Sequence, residues 1–509
     1  MPMNAGPSQH SALGILDAIA AGRASGPDGN SAHSLALYVG DLFHTTTAGV
    51  TAAVTATGAA VRFDLDLSRI YIRNLGEQTR CLILGGSGAA AADAVRDFYK
   101  TRDGGLMFVF CVTPGALEQA HQFIPPGYAL VVAPDAFRGL LTGLDPGGQL
   151  KKMLRGQIGR RRLSLYDICQ PATGNAFFGR ERELAQLLEH DTTSFAIPGP
   201  GRIGKSSLLK RHHWNLRRRR DPRVDRTFEI DFYSVSKLDI ESVVRHIATK
   251  ISDTYRGHTL RVSGFIDFLR YWRNQLGGPL ELILDETDEV CSGPAFDQLG
   301  QAAKDGYVRL IMAGRGGLFK FATQSDSPMA ARLRVLLLEP LEPATARELF
   351  CHPLADLGLH IRNPSLLVDY VLKQTGRLPH LIQFYAQNLV ELSVERRLDE
   401  LDIGDVHAVE STGTFSQYFL APLLELDDAD ARTLACALLA TPLQRYTTAE
   451  VLAAALRLGL PNSPVWVRRT CDELVIRNIL LWEGGLYRAS SQALRVFAEQ
   501  AGLLAGGRA

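Results

Sequence analysis

The 509-residue chain is poor in the residues that crosslink, ligate metals or anchor a protein in lipid. Its seven cysteines stand at 81, 111, 169, 291, 351, 436 and 471, with no CxxC and no Cys/His pairing. That excludes a disulfide framework and a zinc site of ordinary spacing, and a reducing cytoplasm is the expected compartment. Charge of one sign is missing too: 55 Lys and Arg against 54 Asp and Glu give a formal +1. No global field therefore draws the chain to nucleic acid or anionic lipid, and any such binding must come from local patches. There is no run of about 20 strongly apolar residues. The longest uncharged stretch, between Asp41 and Arg62, carries six Thr and two Gly, and reads as strands and turns. The N-terminus lacks the basic and apolar segments of a signal peptide, and no repeat of 20–50 residues is present. What remains is ordinary globular composition, 46% hydrophobic and 21% charged, in a length that makes about three to five domains.

The first thirty or so residues are rich in Ala, Gly, Ser and Pro and are expected to be loosely ordered. From Ala32, apolar runs at Ile70–Ile72, Cys81–Leu84, Leu106–Val112 and Ala129–Ala133 alternate with helix-like segments, which predicts an α/β layer with parallel strands. A basic run, KKMLRGQIGRRR at 151–162, and PATGN at 171–175 then mark a boundary. Strand-like segments follow in SFAIP, FEIDFY (228–233), LELILDE, RLIMAGR (309–315) and VLLLEPL (335–341). Beyond Glu342 about eighty residues keep helical spacing. The last block, from about Leu426 to Ala501, ends in two extended runs around Gly484 and Gly485, an order that predicts a winged helix.

The sharpest signal is Gly199-Pro-Gly201-Arg202-Ile203-Gly204-Lys205-Ser206, which satisfies GxxxxGK[ST] between an apolar strand and a helix that begins with Ser207. Glycines let the backbone wrap an anion, successive N–H groups face phosphate oxygens, and the helix presents its positive end. Lys205 is placed for the β- and γ-phosphates and the Ser206 hydroxyl for Mg²⁺. Such a loop needs an acid on a neighbouring strand tip. The continuously apolar LELIL delivers Asp285 and Glu286 there, Asp285 on the Mg²⁺ side and Glu286 as the base that polarises water. Asp288 and Glu289 read equally as part of this site or as a solvated turn. Arg315, at the end of RLIMAG, stands where a cation would face the γ-phosphate, or forms a surface salt bridge. Gly376-Arg-Leu-Pro379-His380 reads either as a helix boundary, because Pro379 disfavours α conformation at Leu378, or, placed in the lid, as a contact to the adenine.

Together FFGREREL (177–184), GPGRIGKSS, ELILDETDEV, the strand ending in AGR, EPLEPATARELF and TGRLPHLIQFYAQNLV (375–390) resemble a STAND-type ATPase, close to the archaeal-ATPase and AAA-type branch, over roughly Gly174 to Glu499. The resemblance implies a nucleotide switch that binds ATP or ADP with Mg²⁺, closed around ADP and opened or self-associated with ATP. It implies Lys205 and Ser206 on phosphate and metal, Asp285 and Glu286 as the Walker B pair, Arg315 at the sensor strand, Arg180 lining the pocket and Pro379 near the base. No MHD-like histidine motif is evident, which puts an ADP lock through that contact in question. The expected organisation is α/β multidomain: a flexible N-terminus (1–30), an α/β domain (31–145), a basic linker (146–174), a P-loop ATPase core with a parallel sheet (175–343), a helical lid (344–420) and a winged helix (421–502).

The N-terminal α/β region faintly resembles a degenerate restriction-endonuclease-like fold of the Mrr group. There Asp64 and Asp66 stand for the metal-binding acid, but the next strand ends in Leu84-Gly-Gly-Ser and supplies no lysine, so active nuclease chemistry is not expected. The cationic segments at 151–162 and 210–220 read either as solvated faces or as phosphate contacts. Three functions stay open: an ATP-driven signalling switch of unknown trigger, a DNA-binding ATPase using the winged helix and Arg clusters, and an ATP-gated nuclease.

Overall fold

The computed structural model describes residues 9–20, 29–45, 47–55, 58–73, 75–76, 78–102, 104–233, 240–253, 261–291, 293–323, 332–441 and 445–504. Two five-stranded sheets organise the chain. The first contains β1 (Thr47–Thr55), β2 (Gly58–Leu65), β3 (Thr79–Gly86), β4 (Met107–Cys111) and β5 (Ala129–Val132) in sequential order. β1 to β3 form an antiparallel meander, and β3 to β5 run parallel through crossover helices Ala89–Lys100 and Pro114–Phe123. Alternation along β3 and β4 divides their side chains between two faces. Cys81, Ile83, Phe108 and Phe110 join the large core shared with the rest of the chain, while Leu82, Leu84, Val109 and Cys111 pack under the crossover helices.

The second sheet contains β6 (Ser194–Pro198), β7 (Thr227–Asp231), β8 (Leu280–Asp285), β9 (Val308–Gly314) and β10 (Leu333–Val335), all parallel, in the order β10-β6-β9-β8-β7. Apart from the buried pair Glu281 and Arg309 near their start, central strands β6, β8 and β9 are apolar on both sides, as a parallel sheet covered by helices requires. Phe195, Ile197, Ile311 and Ala313 face one core; Ala196, Leu282, Leu284 and Met312 face the other. Because β9 lies between β6 and β8, the loop after β6 and the acids after β8 emerge on either side of one strand tip.

Helices Pro343–Asp356, Pro364–Thr375, Pro379–Arg396, Ile403–Glu410 and Gly413–Leu424 follow, with β11 (His360–Ile361) and β12 (Glu400–Leu401) paired in parallel between them. Helices Ala429–Ala440, Thr448–Arg457 and Pro464–Ile476 then lead to an antiparallel hairpin of β13 (Leu480–Glu483) and β14 (Leu486–Ala489), turned at Gly484 and Gly485 with φ of 59° and 85°. Helix Gln492–Gln500 closes the chain. Three helices and a two-stranded hairpin thus precede the last helix of the C-terminal region.

Three expectations differ from the fold. Within the opening thirty residues a helix spans Gln9–Ala20 and buries Ala12, Leu16 and Ile19 in the large core, because those apolar positions recur at helical spacing; residues 1–8 and 21–28 lie outside the described residues. Ile70–Ile72 forms turns rather than a strand, with the Asn175 amide donating to both its flanking carbonyls. VLLLEPL pairs only briefly beyond β10: the Leu336 N–H reaches Ala196 O, but Pro340 has no N–H to continue the ladder.

The basic run is also not a free linker. Pro146–Gln157 is a helix, N-capped by Asp145, with Leu150 and Leu154 buried. Its cations engage the end of helix Pro343–Asp356. Lys151 pairs with Asp356, and Arg155 donates to Asp356 O at 3.3 Å. Arg160 reaches Leu357 O, Gly358 O, Leu398 O and Asp399. Arginines at a helix C-terminus satisfy its last carbonyls and match its dipole.

Candidate nucleotide site

The loop after β6 enters helix Lys205–Arg218 through Gly204, whose φ of 107° favours glycine. Gly199 donates its N–H to Gly314 O at 3.1 Å, tying the start of the loop to the tip of β9. Lys205 is buried, and its Nζ donates to Gly199 O and Pro200 O at 2.9 and 2.8 Å. Burial first, and then the Arg315 charge, lower its ammonium pKa to about 8. The next residues are held from several directions. Arg202 adopts φ 63°, and its guanidinium donates to Tyr418 Oη at 2.6 Å. Ile203 turns its side chain into the core while its carbonyl accepts from Arg180 at 3.4 Å.

β8 ends in Asp285, whose Oδ1 accepts the Glu286 N–H at 2.9 Å. Glu286 sits in the left-handed region at φ 53°, a bend that turns the chain away from the strand. Burial raises the Glu286 carboxyl above the ordinary range; Arg315 opposes that effect and Asp285 adds to it. Thr287 is fully buried and donates to Ala313 O at 3.0 Å. Asp288 accepts the N–H groups of Arg315, Gly317 and Leu318, which cap helix Gly316–Thr323. The acidic loop after β8 is thus bolted to the turn after β9. The Arg315 side chain is exposed beside the phosphate loop, its Cζ 3.8 Å from where a Cβ on Gly201 would stand.

A cavity of about 950 Å³ gathers most of the expected site residues: Arg180, Gly201 to Ser207, Glu286, Arg315 and Pro379. Gly199 lines a neighbouring cavity of about 1480 Å³, which shares Glu286 and Arg315. Asp285 lines neither and stands one residue behind Glu286. Ser206 is half-buried at the first turn of the helix. The Ser207 hydroxyl accepts the Ala172 N–H at 2.9 Å, so it fastens the segment that leads into the site. Arg180 pairs with Glu183 and donates to Glu339 O, which joins the loop to the chain after β10. Pro379 begins its helix after an extended Leu378, as its ring requires.

Three further contributors carry no individual assignment from the sequence. Tyr418 meets Arg202 from helix Gly413–Leu424 and stacks on Phe384 at 3.9 Å. Burial first, and then the Arg202 charge, lower the His380 imidazole to about 3, so the ring is neutral. Asn478 donates to Gly201 O at 2.7 Å from the C-terminal region. His380 was visible within GRLPH; nothing local marks the other two. In the N-terminal sheet, Asp64 pairs across from Arg80 on β3, and Asp66 accepts from the Ser68 N–H and hydroxyl in a turn. Among the described residues no helix is long and apolar enough to cross a membrane.

A glycine-bent loop, a buried lysine, a hydroxyl at the first turn and two strand-end carboxylates fit a nucleotide phosphate chain with Mg²⁺. Residues 167–412 match the family model described as Novel STAND NTPase 1. No curated protein matches significantly. Among solved structures, the chain is similar to the Walker-type ATPase paby2304 of Pyrococcus abyssi, with 16% identity, 66% of this chain and 99% of that chain covered, and a TM-score of 0.49. It is also similar to the Aeropyrum pernix ORC2 protein, with 14% identity, coverages of 64% and 93% and a TM-score of 0.41. For the Thermotoga maritima RuvB Holliday junction branch migration motor the values are 14%, 66% and 98%, and 0.35. In its family match and its phosphate loop, the segment 167–412 is similar to a P-loop NTPase of the STAND type.

Proposed function

We propose that the chain is an ATP-binding and ATP-hydrolysing switch. The observation that carries this is the meeting of Lys205, Glu286 and Arg315 on one cavity whose remaining wall comes from the helical and C-terminal regions. Lys205 and the loop amides hold the phosphates, and Ser206 and Asp285 hold Mg²⁺, which supplies charge neutralisation on the phosphate oxygens. Glu286, with a carboxyl raised by burial, takes a proton from the attacking water. Arg315 adds positive charge beside the loop. Since the helical and C-terminal regions also wall the site, exchange of ADP for ATP shifts them, and self-association on ATP is the output. On this reading the units are the N-terminal α/β domain, the ATPase core, the lid and the C-terminal winged helix, in an intracellular protein.

Lys205→Ala should abolish binding of a fluorescent ADP, and Glu286→Gln should retain binding while slowing turnover by about 10²-fold or more. Unchanged turnover in both would sink the assignment. Light scattering with ADP and with a non-hydrolysable ATP analogue tests the output, and a monomer in both states would count against assembly. One observation favours DNA as a partner: Arg217 to Arg220 are exposed in a row at the end of helix Lys205–Arg218. Duplex binding that falls steeply with salt and is lost on neutralising these four would support it.

A further inference from the structure

Residues 201 to 203 of the phosphate loop are each anchored from outside the loop. Ile203 O accepts from Arg180, Arg202 is held by Tyr418, and Gly201 O accepts from Asn478. Only the Arg180 anchor precedes the loop in sequence; the others come from the helical and C-terminal regions. Arg202 needs such support, since a non-glycine residue at φ 63° persists only where its surroundings fix it. Asn478 ends the turn between helix Pro464–Ile476 and β13, 277 residues from its partner. It lines the same cavity, and its Oδ1 is shut off from solvent with no hydrogen-bond partner among the described residues. His380 Nδ1 is in the same condition on the same cavity.

We propose that Asn478 is a positioning residue through which the C-terminal region fixes the phosphate loop in its nucleotide-holding shape. The inference rests on the nucleotide reading. Asn478 itself has φ 57°, a conformation that asparagine and glycine tolerate, so the residue could serve the turn alone. Asn478→Gly separates the two roles: it keeps the turn and removes the amide. Asn478→Asp keeps the shape and sets an acceptor against the Gly201 carbonyl.

The test is release of a fluorescent ADP from the full chain, with Lys205→Ala as reference. Loss of one neutral hydrogen bond should speed release roughly 3- to 10-fold in both Asn478 variants, with the melting temperature of the nucleotide-free protein unchanged. Release at the wild-type rate would overturn the proposal. A wild-type chain that binds no ADP would instead overturn the nucleotide reading. Hydrogen exchange on the wild-type chain decides the matter without any variant. Added ADP should slow exchange in both 199–206 and 476–481, and slowing confined to 199–206 would overturn the proposal.

Discussion

Both carboxylate oxygens of Asp288 lie 2.6 Å from the main-chain nitrogen of Arg315. The same carboxylate accepts from Gly317 and Leu318, so it replaces the unmade bonds of a helix N-terminus and sets where the Arg315 side chain leaves the sheet. The packing leaves no slack: a Cβ on Gly317 would stand 2.3 Å from Asp288 O. Asp288→Ala should cost about 1–3 kcal/mol, from a lost cap and orphaned amides, and should raise the KM for ATP by misplacing Arg315. Asp288→Asn, which keeps one acceptor, should cost less. Denaturant midpoints and steady-state kinetics on both variants check this; equal stability of Asp288→Ala and wild type would refute the capping role.

The sequence made part of this legible. β6, β8 and β9 are largely apolar without alternation and lead at or just past their ends to Gly199, Asp285 and Arg315, so strand, motif and sheet edge were readable from local text. Asp288 was not separable from a solvated turn, because its partners are main-chain amides 27 to 30 residues on. The cations at 151–162 were equally opaque. Their acceptors are largely carbonyls some 200 residues away, and a carbonyl carries no sequence signature. Asn478 and Tyr418 reach the loop from single positions without a motif, so only the docking of separate regions exposes them.

Below the phosphate loop, at the opposite end of the sheet, Glu281 is buried between His212, at 2.8 Å, and Arg309. Burial pushes its carboxyl up, but the His212 bond and the Arg309 charge outweigh that and hold it below the ordinary range. The sign follows from the folded value lying beneath the unfolded one. Stability from this group is full above the unfolded carboxylate value of about 4.3 and is lost as pH falls toward the folded value. Glu281→Gln should remove that acid-limb dependence and cost about 3–5 kcal/mol by leaving Arg309 buried without its counter-ion. The double variant Glu281→Leu with Arg309→Met should be less damaging than the single one. Urea midpoints between pH 3 and pH 7 measure both; parallel curves for wild type and Glu281→Gln would disprove the linkage.

Gly376 tests the contact between the helical and C-terminal regions. It ends helix Pro364–Thr375 at φ 58°, and a Cβ there would stand 1.9 Å from Ser490 O. Gly459 has a similar φ of 69° with nothing within 4 Å, which makes it the matched control. Gly459→Ala should lose only the left-handed penalty of about 1–2 kcal/mol. Gly376→Ala must also displace a backbone carbonyl, so it should lose more and should loosen the cavity wall formed by Ser490 and Ser491. Equal melting temperatures for the two variants would show that the regions separate at no cost.

Asp356 is the post on which the N-terminal sheet is moored. Lys151 pairs with its carboxylate, the Tyr71 N–H donates to Oδ2 at 2.6 Å, and the Tyr71 ring stacks on Phe178 at 5.3 Å. Asp356→Ala leaves a half-buried N–H and a half-buried ammonium without this acceptor, and should cost about 1–3 kcal/mol. The exchanged pair Lys151→Asp with Asp356→Lys restores the charges but not the acceptor for Tyr71, so rescue should be partial. Hydrogen exchange at 69–73 and 151–160 reads the docking directly, and unchanged protection in Asp356→Ala would rule the mooring out. Because these cations are already spent on Asp356 and on helix-end carbonyls, neutralising Lys151 or Arg155 should leave the salt dependence of any DNA binding unaltered. Only the exposed row at Arg217 to Arg220 should change it.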